Sequence, residues 1–221
     1  MLLNVKNLRK DYTRGQQTFS AVNNVSFSMA KDDFICIMGK SGSGKTTLLN
    51  MIAGLLTPTQ GKITINNTNL FDLNDQQVSA FRNQHIGYIP QGSSLLPNLT
   101  AIDNIRLPFY LTKRENQNPL NEAKRLLEKA KISHLQDAYP ANMSGGEMRR
   151  IAILRALICK PQMIIADEPT SDLDEESAAE IMQLLTDIHQ QGTALLIVTH
   201  DHDVARYSQK VMKMSAGRFI D

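Results

Sequence analysis

The sequence predicts an α/β fold in which a mainly parallel β-sheet core is interrupted by an inserted α-helical subdomain. Three observations lead there. Short, continuously apolar runs at residues 34–38, 163–166 and 194–198 suit strands buried on both faces, the habit of parallel sheets. Helical patterns at residues 45–53 and 175–190 alternate with those strands, as β–α units do. Between about residues 99 and 157 the strand signals vanish, and apolar residues recur at helical spacing instead.

Taken in order, residues 2–8 and 21–29 alternate apolar and polar side chains, so each reads as a strand. The run at 34–38 ends in a glycine loop, and the helix at 45–53 is closed by Gly54. Residues 63–65 and 85–89 are two further candidate strands. In the middle, Leu120, Ala123, Leu127 and Ala130 keep helical spacing, as do Ile151, Leu154 and Ile158. Ile181, Leu184, Leu185 and Ile188 form an apolar stripe on the helix at 175–190. Residues 210–221 read as a final strand pair. The expected division is an α/β core over residues 1–91 and 159–221, with a helical subdomain over 92–158.

Composition sets outer limits. A chain of 221 residues suits one generous domain, or a core with a subdomain attached. Its apolar fraction of 42% is enough for a full core. The net charge is only +2 and basic residues are scattered, so no nucleic-acid partner is expected. Cys36 and Cys159 lie far apart in apolar stretches and read as buried free thiols in a reducing compartment. The N-terminus meets charge within a few residues, unlike a signal peptide. No run approaches the roughly eighteen apolar residues a membrane helix requires. A soluble, cytoplasmic protein that reaches a membrane only through a partner is the expectation.

The chemistry begins at Gly39-Lys-Ser-Gly-Ser-Gly-Lys-Thr46, which fits G-x-x-x-x-G-K-[ST] between a predicted strand and a predicted helix. Its glycines let backbone N–H groups close around phosphate oxygens, and the helix dipole adds to the attraction. Gly39, Ser41, Gly42, Ser43, Gly44, Lys45, Thr46 and Thr47 are the expected nucleotide-binding set. Lys45 would reach the β- and γ-phosphates, and the Thr46 hydroxyl would ligate Mg²⁺. The chain is expected to bind a nucleoside triphosphate.

Two further stretches add to this. Asp167 emerges from the apolar run at 163–166, at the strand end where α/β sheets place their ligands. There it would hold Mg²⁺ through water, and Glu168 would act as general base on the attacking water. Alone, two carboxylates before Pro169 read as a surface turn; beside a phosphate loop they read as catalysis. Ser144-Gly-Gly-Glu147 opens a helix with an N-cap serine and a capping-box glutamate, which makes a second candidate anion site.

These motifs, in this order and over essentially the whole chain, resemble the nucleotide-binding subunits of ABC transporters. The resemblance implies a P-loop NTPase core of the RecA-like kind, with an antiparallel β subdomain beside the helical one. It implies that Ser144, Gly145, Gly146 and Glu147 are the signature that caps the γ-phosphate of ATP held by another copy. Two copies would then pair head to tail around two ATP molecules, as a homodimer. Tyr12 stands where the family stacks an aromatic on adenine, worth roughly 1–3 kcal/mol; by itself it reads equally as a strand-end tyrosine. Gln91, an ordinary loop residue in isolation, matches the glutamine that touches Mg²⁺ and the attacking water. His200 matches the switch histidine that contacts the γ-phosphate. Residues 171–174 resemble the D-loop, and Asp174 also suits a helix N-cap. Four positions depart from the family's habit: Pro90 for an aromatic, Met143 for leucine, Glu147 for glutamine and Asp172 for a small residue.

Residues 81–91, 95–100 and Asn104 resemble one branch, which serves lipoprotein release and the export of macrolides and antimicrobial peptides. That branch implies a permease with few membrane spans and a large extracytoplasmic domain. The chain would be its ATP-hydrolysing motor, held at the inner face of the cell membrane, with a groove near residues 91–100 taking the permease's coupling helix. The rivals are a soluble ABC ATPase on ribosomes or nucleic acid, and a P-loop GTPase or small-molecule kinase. The first usually brings a second cassette or a long coiled coil, and the second an N-K-x-D segment; neither pattern occurs here.

Overall fold

The computed structural model describes residues 1–92, 94–111 and 118–220. The chain runs β1 (Leu3–Arg14), β2 (Gln17–Met29), β3 (Phe34–Met38), α1 (Lys45–Ile52), β4 (Gln60–Ile65) and β5 (Thr68–Asn69). It continues with α2 (Asp75–His85), β6 (Ile86–Ile89), α3 (Ala101–Tyr110), α4 (Pro119–Lys129) and α5 (Gly145–Leu157). It ends with β7 (Met163–Asp167), α6 (Glu175–Gln190), β8 (Ala194–Thr199), α7 (His202–Ala205), β9 (Lys210–Ser215) and β10 (Arg218–Ile220). Asp221, expected in the last strand pair, lies outside the described residues, as does Ser93 of the expected groove.

Two sheets result. An antiparallel sheet has the order β2-β1-β4-β5. The second has the order β10-β9-β3-β8-β7-β6 and is parallel except for β10 on β9. Every residue of β3, β7 and β8 is buried. Because side chains alternate across a strand, these strands feed two cores. Ile35, Ile37, Met163, Ile165, Leu196 and Val198 meet α1 and the antiparallel sheet on one face. Phe34, Ile164, Ala166, Leu195 and Ile197 meet the helices of the other face. Each fully buried large side chain contributes about 1.5–3 kcal/mol, so the parallel sheet is the stiffest part of the molecule.

Between β6 and β7 the described residues form only helices and turns. Ala123, Leu127, Ile151 and Leu154 are buried there. Asn104 is wholly buried: it accepts from Leu96 N at 2.8 Å and donates to the carbonyls of Leu96, Leu99 and Thr100.

The structure differs from the sequence reading in three places, each for a physical reason. β1 and β2 run much longer than their alternation suggested, because bulges after Val5, Leu8 and Lys10 break the period of two. Asn7, at φ +48°, sits in one of them. Helix α2 was not expected: none of its residues is fully buried, and Val78, Ala80 and Phe81 are outnumbered by polar neighbours. It starts from a capping box between Asn74 and Gln77. His85 accordingly ends that helix and does not open the next strand.

Candidate active site

The phosphate loop runs from the end of β3 into α1, with its backbone wedged between two neighbouring strands. A Cβ on Gly44, at φ +102°, would stand 2.1 Å from the Ala21 carbonyl oxygen of β2. One on Gly39 would stand 2.4 Å from the Met214 carbonyl of β9. Only glycine fits at either place, and the loop's shape is thereby fixed. Ser41, Gly42 and Thr46 are exposed at its surface, while Ser43 and Lys45 are buried beneath. Lys45 Nζ donates to the carbonyls of Gly39 at 2.6 Å and Lys40 at 3.2 Å. The N-terminus of α1 points its free N–H groups and positive dipole end toward the same loop.

Two carboxylates face it. Asp167 ends β7 almost wholly buried, and its Oδ1 has no hydrogen-bond partner among the described residues. Burial pushes its carboxyl above the usual carboxylate range; Thr46 opposes this with a hydrogen bond, Glu168's charge adds to it and Lys45's opposes it. An orphaned buried acceptor costs about 1–3 kcal/mol, and a hard cation beside it would remove that cost. The hydroxyl of Thr46 and the carboxylate of Asp167 are the oxygen donors such a cation takes, so the pair fits Mg²⁺.

Glu168 occupies a left-handed backbone conformation, φ +47°, which costs of order 1–3 kcal/mol. Its N–H donates to Val198 O at 2.9 Å, and its carbonyl accepts from Ser171 N at 3.1 Å and Ser171 Oγ at 3.0 Å. The side chain then turns back over the loop. Oε2 accepts from Thr199 Oγ1 at 2.8 Å and His200 N at 3.3 Å. Oε1 lies 2.9 Å from His200 Nδ1 and 3.7 Å from Lys45 Nζ. Lys45, Asp167, Glu168 and His200, picked out separately in the sequence, thus converge. Thr199 joins them unforeseen; a threonine closing an apolar strand carries no signal of its own.

Gln91 leaves the sheet one strand away. Ile89 pairs with Ala166 in parallel register, so Pro90 follows at the level of Asp167 and Gln91 emerges one residue later, with its side chain exposed. Arg149 of α5 was also missed. It is 6% exposed, and its Nη1 donates at 3.2 Å to both Pro90 O and Gly92 O, the carbonyls flanking Gln91. An Arg-Arg pair on a helix reads as solvated surface in a sequence, and only tertiary contact shows otherwise.

Ser144 and Glu147 form the expected capping box, with Ser144 N donating to Glu147 Oε2 at 2.7 Å and Glu147 N to Ser144 Oγ at 3.2 Å. The Ser144 N–H holds the Glu147 carboxyl below its usual range, with the Ser144 hydroxyl, Arg150 and His134 helping against desolvation. Gly145 and Gly146 face Leu173 and Ser177, and the structure does not bring the signature to its own chain's phosphate loop. Tyr12 pairs with Phe19 across the β1–β2 hairpin, rings stacked at 5.8 Å, with Lys10 Nζ 5.5 Å from the tyrosine ring. Ala21, two residues beyond Phe19, is the residue against Gly44, so this aromatic pair stands beside the loop.

The chain matches the family model described as ABC transporter over residues 22–171. It is 39% identical to the lipoprotein-releasing system ATP-binding protein LolD of Shewanella frigidimarina, covering 98% of this chain and 91% of that protein. The protein of the same name from Acinetobacter baylyi is 36% identical, with 100% and 98% covered. Among solved structures, the dimeric post-hydrolysis state of the ATP-binding cassette MJ0796 of Methanocaldococcus jannaschii, bound to ADP and Pi, superposes with a TM-score of 0.93. It is 35% identical, and 100% of this chain and 97% of that one are covered.

Cys36 lies in β3 beneath the site. Burial pushes its thiol up to about 12, with the negative charges of Glu168 and Asp201 adding to the effect. Thiolate is the reactive form, so in a Cys159→Ser variant Cys36 should resist iodoacetamide at about pH 8 until the protein is denatured. Mass spectrometry of the intact chain checks this, and prompt alkylation of folded protein would contradict it.

Proposed function

The chain belongs to the ABC transporter family as an ATP-binding, ATP-hydrolysing subunit, and from that premise we propose how its residues divide the work. The single observation that carries this reading is the meeting of Lys45, Asp167, Glu168 and His200 at the carboxyl ends of three buried strands. Gly39, Ser41, Gly42, Ser43, Gly44, Thr46 and Thr47 enclose the ATP phosphates. Lys45 exchanges its two loop carbonyls for β- and γ-phosphate oxygens. Tyr12 stacks on adenine. Thr46, Asp167 and Gln91 hold Mg²⁺, whose role when bound is to neutralise phosphate charge.

Glu168 is the general base. Its Oε1 orients and polarises the attacking water, while the left-handed backbone and the Thr199 hydroxyl keep the carboxylate aimed. His200, next to the same oxygen, reaches the γ-phosphate and stabilises the charge that develops there. Ser144, Gly145, Gly146 and Glu147 cap the nucleotide of a second copy, giving a head-to-tail homodimer; the dimeric MJ0796 cassette supports this arrangement. Residues 92–158 then move as a helical subdomain against a catalytic core of 1–91 and 159–221.

The relatives named for lipoprotein release support a motor of that kind; by its resemblance to that branch it sits at the inner face of the cell membrane and works through a permease of few spans and a large outer domain. Among the described residues no helix is long and apolar enough to cross a membrane itself. The permease docks in a groove of about 1290 Å³ whose lining includes Arg82, His85, Pro108, Leu111, Arg155 and Lys160. Helix α2 builds one wall of that groove, and Arg155, in its lining, donates to Ser94 O within the expected stretch 91–100. Among the described residues no Asp or Glu lines the groove, so the docking segment is apolar with acidic flanks.

Two outcomes follow. Glu168→Gln should bind ATP but hydrolyse it roughly 10²–10⁴-fold more slowly, the usual cost of losing a positioned base; near-normal turnover in a phosphate-release assay would end the assignment. Lys160→Glu should lower permease recovery from detergent roughly tenfold, and raised salt should do the same to the wild type. Recovery indifferent to both would contradict an acidic docking segment.

A further inference from the structure

Arg149 is more deeply buried than an arginine normally is without a partner. One nitrogen, Nη1, spans the carbonyls of Pro90 and Gly92, so it grips the backbone on both sides of Gln91. The grip acts on a segment with little freedom left. Proline fixes its own φ, and Gly92 is held at φ +75°. A second arginine of the same helix, Arg155, donates to Ser94 O at 2.7 Å and to the Ser94 hydroxyl, so Pro90, Gly92 and Ser94 are all tied to α5.

The negative charge of Asp172 also acts on the guanidinium, against the desolvation that burial imposes. Asp172 sits at φ +63° in the turn that begins with Ser171, whose N–H and hydroxyl both bind the Glu168 carbonyl. Hydrogen bonds therefore tie α5 to both sides of Gln91, and Ser171, next to Asp172, to the backbone of Glu168. The helix carrying Arg149 is the one that opens with Ser144, five residues earlier.

We propose that Arg149 is a positioning residue: it sets Gln91 relative to Glu168, so that displacement of the signature helix misaligns the hydrolytic end of the ATP site. This rests on the proposed roles of Gln91 and Glu168, and it assigns to Arg149 and Asp172 a joint task. Neither touches the phosphate loop, so both act on turnover and leave ATP binding to the loop.

Steady-state ATPase measurements on the full chain test this, comparing wild type, Arg149→Met, Arg149→Lys, Asp172→Asn and the Arg149→Met/Asp172→Asn double variant. Arg149→Met should lower kcat roughly 10- to 100-fold, the scale of a misplaced catalytic group. KM for MgATP should stay within about threefold, because uniform binding is untouched. Arg149→Lys should recover part of that kcat, since an ammonium has donors for both carbonyls. Asp172→Asn should cost about threefold in kcat, the scale of one partly exposed charge pair. In the Arg149→Met background it should add nothing, because the charge it acts on is already gone.

An unchanged kcat in Arg149→Met, or an Asp172→Asn effect that multiplies through in the double variant, would overturn the proposal. So would a rise in KM that accounts for the whole loss. Should Arg149→Met fail to fold, Asp172→Asn alone decides: its exposed side chain leaves folding intact, and an unchanged kcat sinks the idea. A wild-type chain without ATPase activity would contradict the catalytic reading beneath it. A wild type that turns over ATP at the rate of Arg149→Met contradicts this inference only.

Discussion

An ammonium and a carboxylate held 3.7 Å apart in a nearly dry pocket organise this molecule. Lys45 and Glu168 come from separate β–loop units, and neither is buried cheaply. Each offsets part of the other's desolvation, and the remaining bonding capacity is taken by the Gly39 and Lys40 carbonyls, Thr199 and His200. That balance holds only while β3, β7 and β8 keep their register, which is why three strands buried on both faces underlie the site. In the proposed mechanism, a triphosphate entering the loop replaces the carboxylate and carbonyls around Lys45 with phosphate oxygens. That exchange would free Glu168 to act on water, so binding and activation would be one rearrangement of the same charges.

The fold supplies the strain as well as the charges. Glu168 is left-handed because Val198 and Ser171 hold its peptide groups on either side. Ser171 also begins the turn that leads to Asp174 and α6, against which the signature glycines pack. Glu168 and the turn at residues 144–147 are therefore mechanically joined within one chain. If the signature serves a neighbour's nucleotide, the state of one site is felt at the other through ordinary packing and two hydrogen bonds.

Much of this was legible in the sequence, and what was missed has a common cause. Buried parallel strands announce themselves as unbroken apolar runs, and glycine-rich loops as spacing, so β3, the phosphate loop, β7 and β8 were readable residue by residue. Asp167 and Glu168 were readable because strand ends in such sheets are where ligands gather, whereas His200 was picked out only through the family resemblance. Helix α2 was not readable, since Val78, Ala80 and Phe81 are too few among its polar residues to set an apolar period. Arg149 and Thr199 were invisible for a related reason: their roles lie wholly in contacts between distant segments. The bulges of β1 hid its length by breaking the alternation that marks a strand.

The central claim is that a complete ATP site needs the phosphate loop of one copy and the signature of another. Light scattering on purified Glu168→Gln chain, titrated with MgATP, tests it most directly. A mass that doubles with one ATP bound per chain, and that stays single when Ser144 is replaced by arginine, is the expected result. A chain that binds ATP fully and remains a monomer at every concentration, with or without that serine, would contradict it.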